Sequence, residues 1–164
     1  MIWYFAYGSN LNHDRFRERV GEWSAHRRAT LEGYTLRFSG EVESEGGGGA
    51  IIQPLDGGKV YGGAYAVSHD QIATMDDVEL RSSMNAAGRG KRSTVRLTSD
   101  AGPLGAELYE VPEPKSYRAP SAAYLNLIVE GLRDFEYDDE TIAGVEAAAA
   151  AEPVADLRAT LHDD

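Results

Sequence analysis

Ile2-Trp3-Tyr4-Phe5-Ala6-Tyr7-Gly8-Ser9-Asn10-Leu11 is an apolar, aromatic run that stops at a glycine followed by two small polar residues. β-branched and aromatic residues favour a pleated, buried backbone, and Gly-Ser-Asn is turn chemistry. The segment therefore reads as a buried strand leaving its sheet at residue 8. Directly after it, Asn12 is placed to cap a short helix that carries Phe16 and Val20 on one face and ends at Gly21. A strand that runs through a tight turn into a helix start aims several backbone N–H groups outward. That makes the turn a seat for a carboxylate or an oxyanion.

Further strands follow. Thr30 to Phe38 alternates, Ala50-Ile51-Ile52 begins an apolar run, and Val60 to Val67 continues the pattern after Asp56-Gly57-Gly58, which reads as a hairpin turn. Gly62 and Gly63 inside that last strand indicate a bulge or a close backbone approach. The four glycines at 46–49 lack the spacing of a nucleotide-binding loop and read as a flexible connection. Ser68-His69-Asp70-Gln71 has the capping-box form, so a helix is expected from about residue 69. Ser93 to Leu97 and Gly105 to Val111 are strands joined at Asp100-Ala101-Gly102-Pro103. From Ser121 the period becomes helical, with Tyr124, Leu125, Ile128, Val129 and Leu132 on one face, and Asp138 or Asp139 can cap another helix.

Short strands interrupted by helices, without regular alternation, indicate an α+β domain built on a compact, mixed, barrel-like twisted sheet with flanking short helices. Residues 1–145 form the expected domain. Residues 146–164, with the alanine run 147–151 and the amphipathic Val154, Leu157 and Leu161, form a helical C-terminal extension of it.

Composition narrows the chemistry. The chain has 164 residues and no cysteine, which excludes thiolate metal sites, disulfides and cysteine nucleophiles. No apolar stretch is long enough to span a bilayer and no secretory leader is evident, so a cytoplasmic protein without membrane contact is expected. The formal net charge of −11 argues against nucleic acid as a partner, because phosphate binding needs a basic face. The acidic residues are spread along the chain and read as a solvated surface. This is compatible with high-salt adaptation, where the Debye length shrinks to about 3 Å at 1 M. The histidines at 13, 26, 69 and 162 lack metal-ligand spacing, and a contiguous Ser68-His69-Asp70 is not how a folded triad is assembled, so neither a metal nor a hydrolase triad is expected.

The literal run YFAYGSNL resembles the opening signature of the γ-glutamylcyclotransferases and their relatives. The resemblance extends over roughly residues 2–145, through Ala29 to Phe38, the glycine-bearing strand at 60–65, and Pro120-Ser121-Ala122-Ala123-Tyr124. It implies the fold described above and a site in which Tyr7, Gly8, Ser9, Asn10, Leu11 and Tyr124 bind the γ-glutamyl group. It also implies a glutamate base in an L-D-x-x-E-like pattern, matched here by Met75-Asp76-Asp77-Val78-Glu79. Helical geometry agrees: at about 100° per residue, Glu79 projects between Ile72 and Met75 on the apolar face. A carboxylate buried there without a cationic partner would rise from about 4.3 toward 6, whereas pairing with Arg81 or Arg92 would lower it.

The implied reaction is intramolecular aminolysis of a γ-glutamyl amino acid or γ-glutamylamine to 5-oxoproline and a free amine, with no cofactor. The loop amides either stabilise the oxyanion or anchor the α-carboxylate. The family commonly follows the glutamate with Gly and later Tyr, whereas this chain has Leu80 and a polar segment from Arg81 to Lys91. Alternatives are therefore a non-catalytic member that binds a small metabolite or a partner protein, and an amide hydrolase on the same scaffold. A monomer and a homodimer are equally compatible with the sequence.

Overall fold

The structure is a computed structural model that describes residues 1–42, 44–80, 90–111 and 116–150. Five strands, β1 (Ile2–Ala6), β2 (Ala25–Ser39), β3 (Gly49–Val67), β4 (Lys91–Ser99) and β5 (Leu104–Glu110), close into a barrel in the order β1-β3-β2-β4-β5. Among the described residues four helices flank it: α1 (His13–Val20), α2 (His69–Leu80), α3 (Ala122–Asp134) and α4 (Asp139–Ala149). All pairings are antiparallel except the one that closes the barrel, where β1 meets β5 in parallel at Tyr4↔Glu107. The α+β, barrel-like architecture expected from the sequence is the one observed.

Alternation along β1 sorts its side chains onto two faces. Phe5 enters the barrel interior with Ala29, Leu31, Ile52, Val60, Leu97 and Leu108. Tyr4 and Ala6 face the layer outside it, where Phe16 of α1, Met75 of α2 and Ile128 of α3 pack. The helices start where the sequence places their caps. Asn12 accepts from Arg15 N at 3.1 Å, and Ser68 and Gln71 form the reciprocal capping box at 2.9 and 3.1 Å. Ser121 accepts from Tyr124 N at 3.1 Å. Of the two aspartates placed to cap the last helix, Asp138 does so, accepting from Thr141 N at 2.8 Å.

Two expectations change. Asp56-Gly57-Gly58 is not a hairpin turn. The strands on either side of it are one continuous β3, and both halves pair with β2, Ala50↔Phe38 on one side and Val60↔Leu31 on the other. The register jumps from Glu32↔Lys59 to Tyr34↔Pro54, so residues 55–58 form a bulge opposite Gly33. Gly57 takes φ +78°, and a Cβ on Gly58 would stand 2.5 Å from the Tyr34 carbonyl oxygen. The glycines thus permit a kink within one strand rather than a reversal.

The glycine loop is packed rather than a free connection: a Cβ on Gly48 would lie 1.9 Å from the Arg118 carbonyl oxygen. Helix α4 runs across residue 145 to Ala149, which is buried and whose carbonyl accepts from Tyr117 Oη at 2.7 Å. The remainder of the expected extension, with Val154, Leu157 and Leu161, lies outside the described residues. So do the positions 81–89 after Leu80.

Candidate active site

β1 ends at Ala6, and the chain turns through Gly8 into a single 3-10 turn, Ser9–Leu11. The turn closes with Leu11 N donating to Gly8 O and Asn12 N to Ser9 O, both at 3.0 Å. Leu11 is fully buried and its N–H is spent, so it seats the turn in the core and does not face the cavity, contrary to its expected place among the binding groups. The amides of Ser9 and Asn10 are not used in the turn's own hydrogen bonds. Tyr65 fixes the turn from beneath, its hydroxyl donating to the Asn10 carbonyl at 2.7 Å. Helix α3 presses against the turn so closely that a Cβ on Gly131 would stand 2.4 Å from the Leu11 carbonyl carbon.

Above the turn lies a cavity of about 360 Å³. Its walls include Tyr7, Gly8, Ser9, Asn10 and Tyr124, together with Glu79 from the last turn of α2. The structure therefore gathers every expected site residue except Leu11. A Cβ on Gly8 would sit 3.2 Å from both the Tyr124 hydroxyl and the Ala50 Cβ, so only glycine leaves this floor open. Ala50 N donates to the Tyr124 hydroxyl at 3.1 Å, which leaves that hydroxyl's own proton available to a guest.

Glu79 is 18% exposed at its side chain. It accepts from Asn10 Nδ2 at 3.2 Å and stands 3.7 Å from the Arg19 guanidinium. Burial raises its pKa above the ordinary carboxylate value, and Arg19, the Asn10 amide and Arg15 oppose that rise without cancelling it. Arg92, one of the two partners considered from sequence, is engaged elsewhere: it lies 3.2 Å from Asp76 and 3.8 Å from Glu107. Asp76 also accepts from Tyr109 Oη at 2.7 Å, which ties α2 to β5 and sets the height of Glu79 over the cavity. Burial likewise raises the Tyr7 hydroxyl well above its usual range and raises that of Tyr124.

Tyr4, which opens the run YFAYGSNL, also lines the cavity, and sequence reasoning missed Arg15 and Arg19, which do so too. The two arginines are four positions apart on α1, hence on one helix face, and that spacing immediately after the loop was a usable signal. Arg15 is held by Glu45 at 3.1 Å. Ser68 serves only as the cap of α2. Among the described residues no group of three or more His, Asp or Glu is placed to hold a metal.

A family model described as gamma-glutamyl cyclotransferase, AIG2-like, matches residues 4–126. The chain belongs to this family. The matched span contains the Gly8-Ser9-Asn10 loop, Glu79 and Tyr124, so the expected site residues that line the cavity fall inside it. Among solved structures, a gamma-glutamyl cyclotransferase superposes with a TM-score of 0.80 at 22% identity, covering 89% of this chain and 86% of that one. The uncharacterized protein loc79017 from Homo sapiens gives 0.79 at 22% identity over the same shares. YkqA from Bacillus subtilis gives 0.77 at 22% identity, over 93% of this chain and 55% of that one. At these identities the likeness is one of fold. No curated protein sequence matches the chain significantly.

Proposed function

We propose that this member of the family is a γ-glutamyl cyclotransferase that converts a γ-glutamyl amino acid or γ-glutamylamine into 5-oxoproline and the free amine. The observation that carries the reading is the placement of Glu79 on the wall of the same cavity as the Gly8-Ser9-Asn10 loop, hydrogen-bonded to it through Asn10.

The chemistry needs little more. The substrate's α-amine attacks its own γ-carbonyl carbon, forming the lactam C–N bond and breaking the bond to the leaving nitrogen. Glu79 takes the proton that the attacking nitrogen sheds and returns it to the leaving nitrogen, so one carboxylate serves both transfers. A base whose pKa is lifted by burial is better matched to an amine near neutral pH than an ordinary carboxylate. The Ser9 and Asn10 amides and the Tyr124 hydroxyl supply donors for the substrate carboxylate and the developing oxyanion. Holding amine and carbonyl in one small cavity favours ring closure over attack by water.

Incubation of the protein with a panel of γ-glutamyl amino acids and γ-glutamylamines, read as 5-oxoproline release, tests this. Wild type is expected to turn over at least one member, and Glu79→Gln to lose about 10²- to 10⁴-fold in rate. Full activity in Glu79→Gln, or glutamate release in place of 5-oxoproline, would show the proposal to be wrong.

A further inference from the structure

Arg19 reaches the cavity from α1, yet the reaction outlined above gives it no task. Its Nη1 donates to Asn10 Oδ1 at 2.7 Å, while Asn10 Nδ2 donates to Glu79 Oε1 at 3.2 Å and to the Tyr4 hydroxyl at 2.9 Å. These contacts have a fixed direction. A guanidinium can only donate, so the end of the Asn10 amide facing it must be the oxygen. The NH₂ end is then committed to Glu79 and Tyr4. A carboxylate that receives this N–H and stands 3.7 Å from the same guanidinium is favoured in its charged form and in one orientation.

We propose that Arg19 is a positioning residue for Glu79: by orienting the Asn10 amide it presents the carboxylate to the cavity as an ionised base in a single rotamer. The word "base" rests on the function proposed above; the hold of Arg19 on Glu79 does not. The other groups around Glu79 leave this task to Arg19. Arg15, on the same helix, is bound to Glu45 at 3.1 Å. Tyr4, Tyr7 and Tyr124 are buried phenols whose own ionisation Glu79 disfavours. Asp76, on the same helix as Glu79, is held by Arg92 and Tyr109 at 3.2 and 2.7 Å.

The test follows the ¹³C resonance of the Glu79 carboxyl through a pH titration of the ligand-free protein, assigned by its loss in Glu79→Gln. In Arg19→Gln the midpoint is expected to rise by about 1 pH unit or more, the usual scale for loss of an opposite charge at this range. Arg19→Lys, which restores charge without the planar fork, should fall between the two. The acid limb of kcat/KM should move up in parallel, with activity regained on the alkaline side. An unchanged midpoint in Arg19→Gln overturns the proposal. If that variant does not fold, a wild-type midpoint together with unshifted Asn10 side-chain NH₂ resonances in Arg19→Lys overturns it equally. A moved midpoint in a protein that releases no 5-oxoproline supports the hold on Glu79 and sinks only the proposed reaction.

Discussion

Tyr4 and Phe5 are neighbours on β1, with 5% and 0% of their surface exposed, yet they serve two different interiors. Phe5 lies in the barrel among aliphatic residues and alanines, such as Leu31, Ile52, Val60 and Ala64. Tyr4 lies one layer out, stacked at 5.4 Å on Phe16 and accepting from Asn10, within reach of Glu79. Close packing without polar atoms gives stability and a rigid backing. A buried carboxylate, amide and guanidinium cost stability unless each is satisfied, and they are kept where they hold a reactive group in place. The barrel is thus the frame, and the candidate site lies in the layer between the sheet and α1, α2 and α3.

The largest expected effect tests the frame. Phe5→Ala should lower stability by about 3–5 kcal/mol, read as a shift in the denaturation midpoint. A loss under about 1 kcal/mol would mean that the barrel interior is not packed as described. Gly131→Ala joins the two regions, since its new methyl would be driven into the Leu11–Asn12 backbone. It should cost about 1–3 kcal/mol from overpacking, despite the higher helix propensity of alanine. It should also weaken turnover by displacing the Ser9–Leu11 turn. Undiminished activity would show that α3 does not set the turn.

The smallest effect sharpens the contrast at Glu79. Its pKa is raised in the folded protein, so folding favours the protonated form. The stabilisation linked to that proton is complete below the unfolded-state value and is lost as pH rises through the folded value. Glu79→Gln should therefore melt above wild type at pH 7 to 8, with the gap closing as the pH is brought down to about 4. A variant less stable than wild type at neutral pH would mean that the contacts to Asn10 and Arg19 outweigh burial.

Much of this architecture was legible in the sequence because its signals are local. The caps at Asn12 and Ser68 and the β4–β5 turn each depend on residues a few positions apart. Glu79 was legible from its motif and from its place on the apolar face of α2. What was not legible depends on partners distant in the chain. Whether Asp56-Gly57-Gly58 reverses the chain or kinks it is settled by β2, whose pairing runs past both halves of β3. Sequence offers Arg92 as a partner for Glu79 and passes over Arg19, because only the fold places the first beside Asp76 and the second beside Asn10. Leu11 belongs to the same motif as Gly8, but only the contact with α3 assigns its side chain to the core.

The parallel closure of the barrel bears on the order in which the site can come into being. β1 carries the Gly8-Ser9-Asn10 loop, yet its neighbours are the end of β3, at Gly63 to Val67, and Glu107 of β5. During synthesis β1 therefore waits first for β3, and closure of the barrel waits further for β5. Pairing between such distant segments is entropically slow. Glu79 is made during that wait, between the two strands that will flank β1. The cavity is thus among the last features to assemble, and its walls are complete only in a molecule whose barrel has closed.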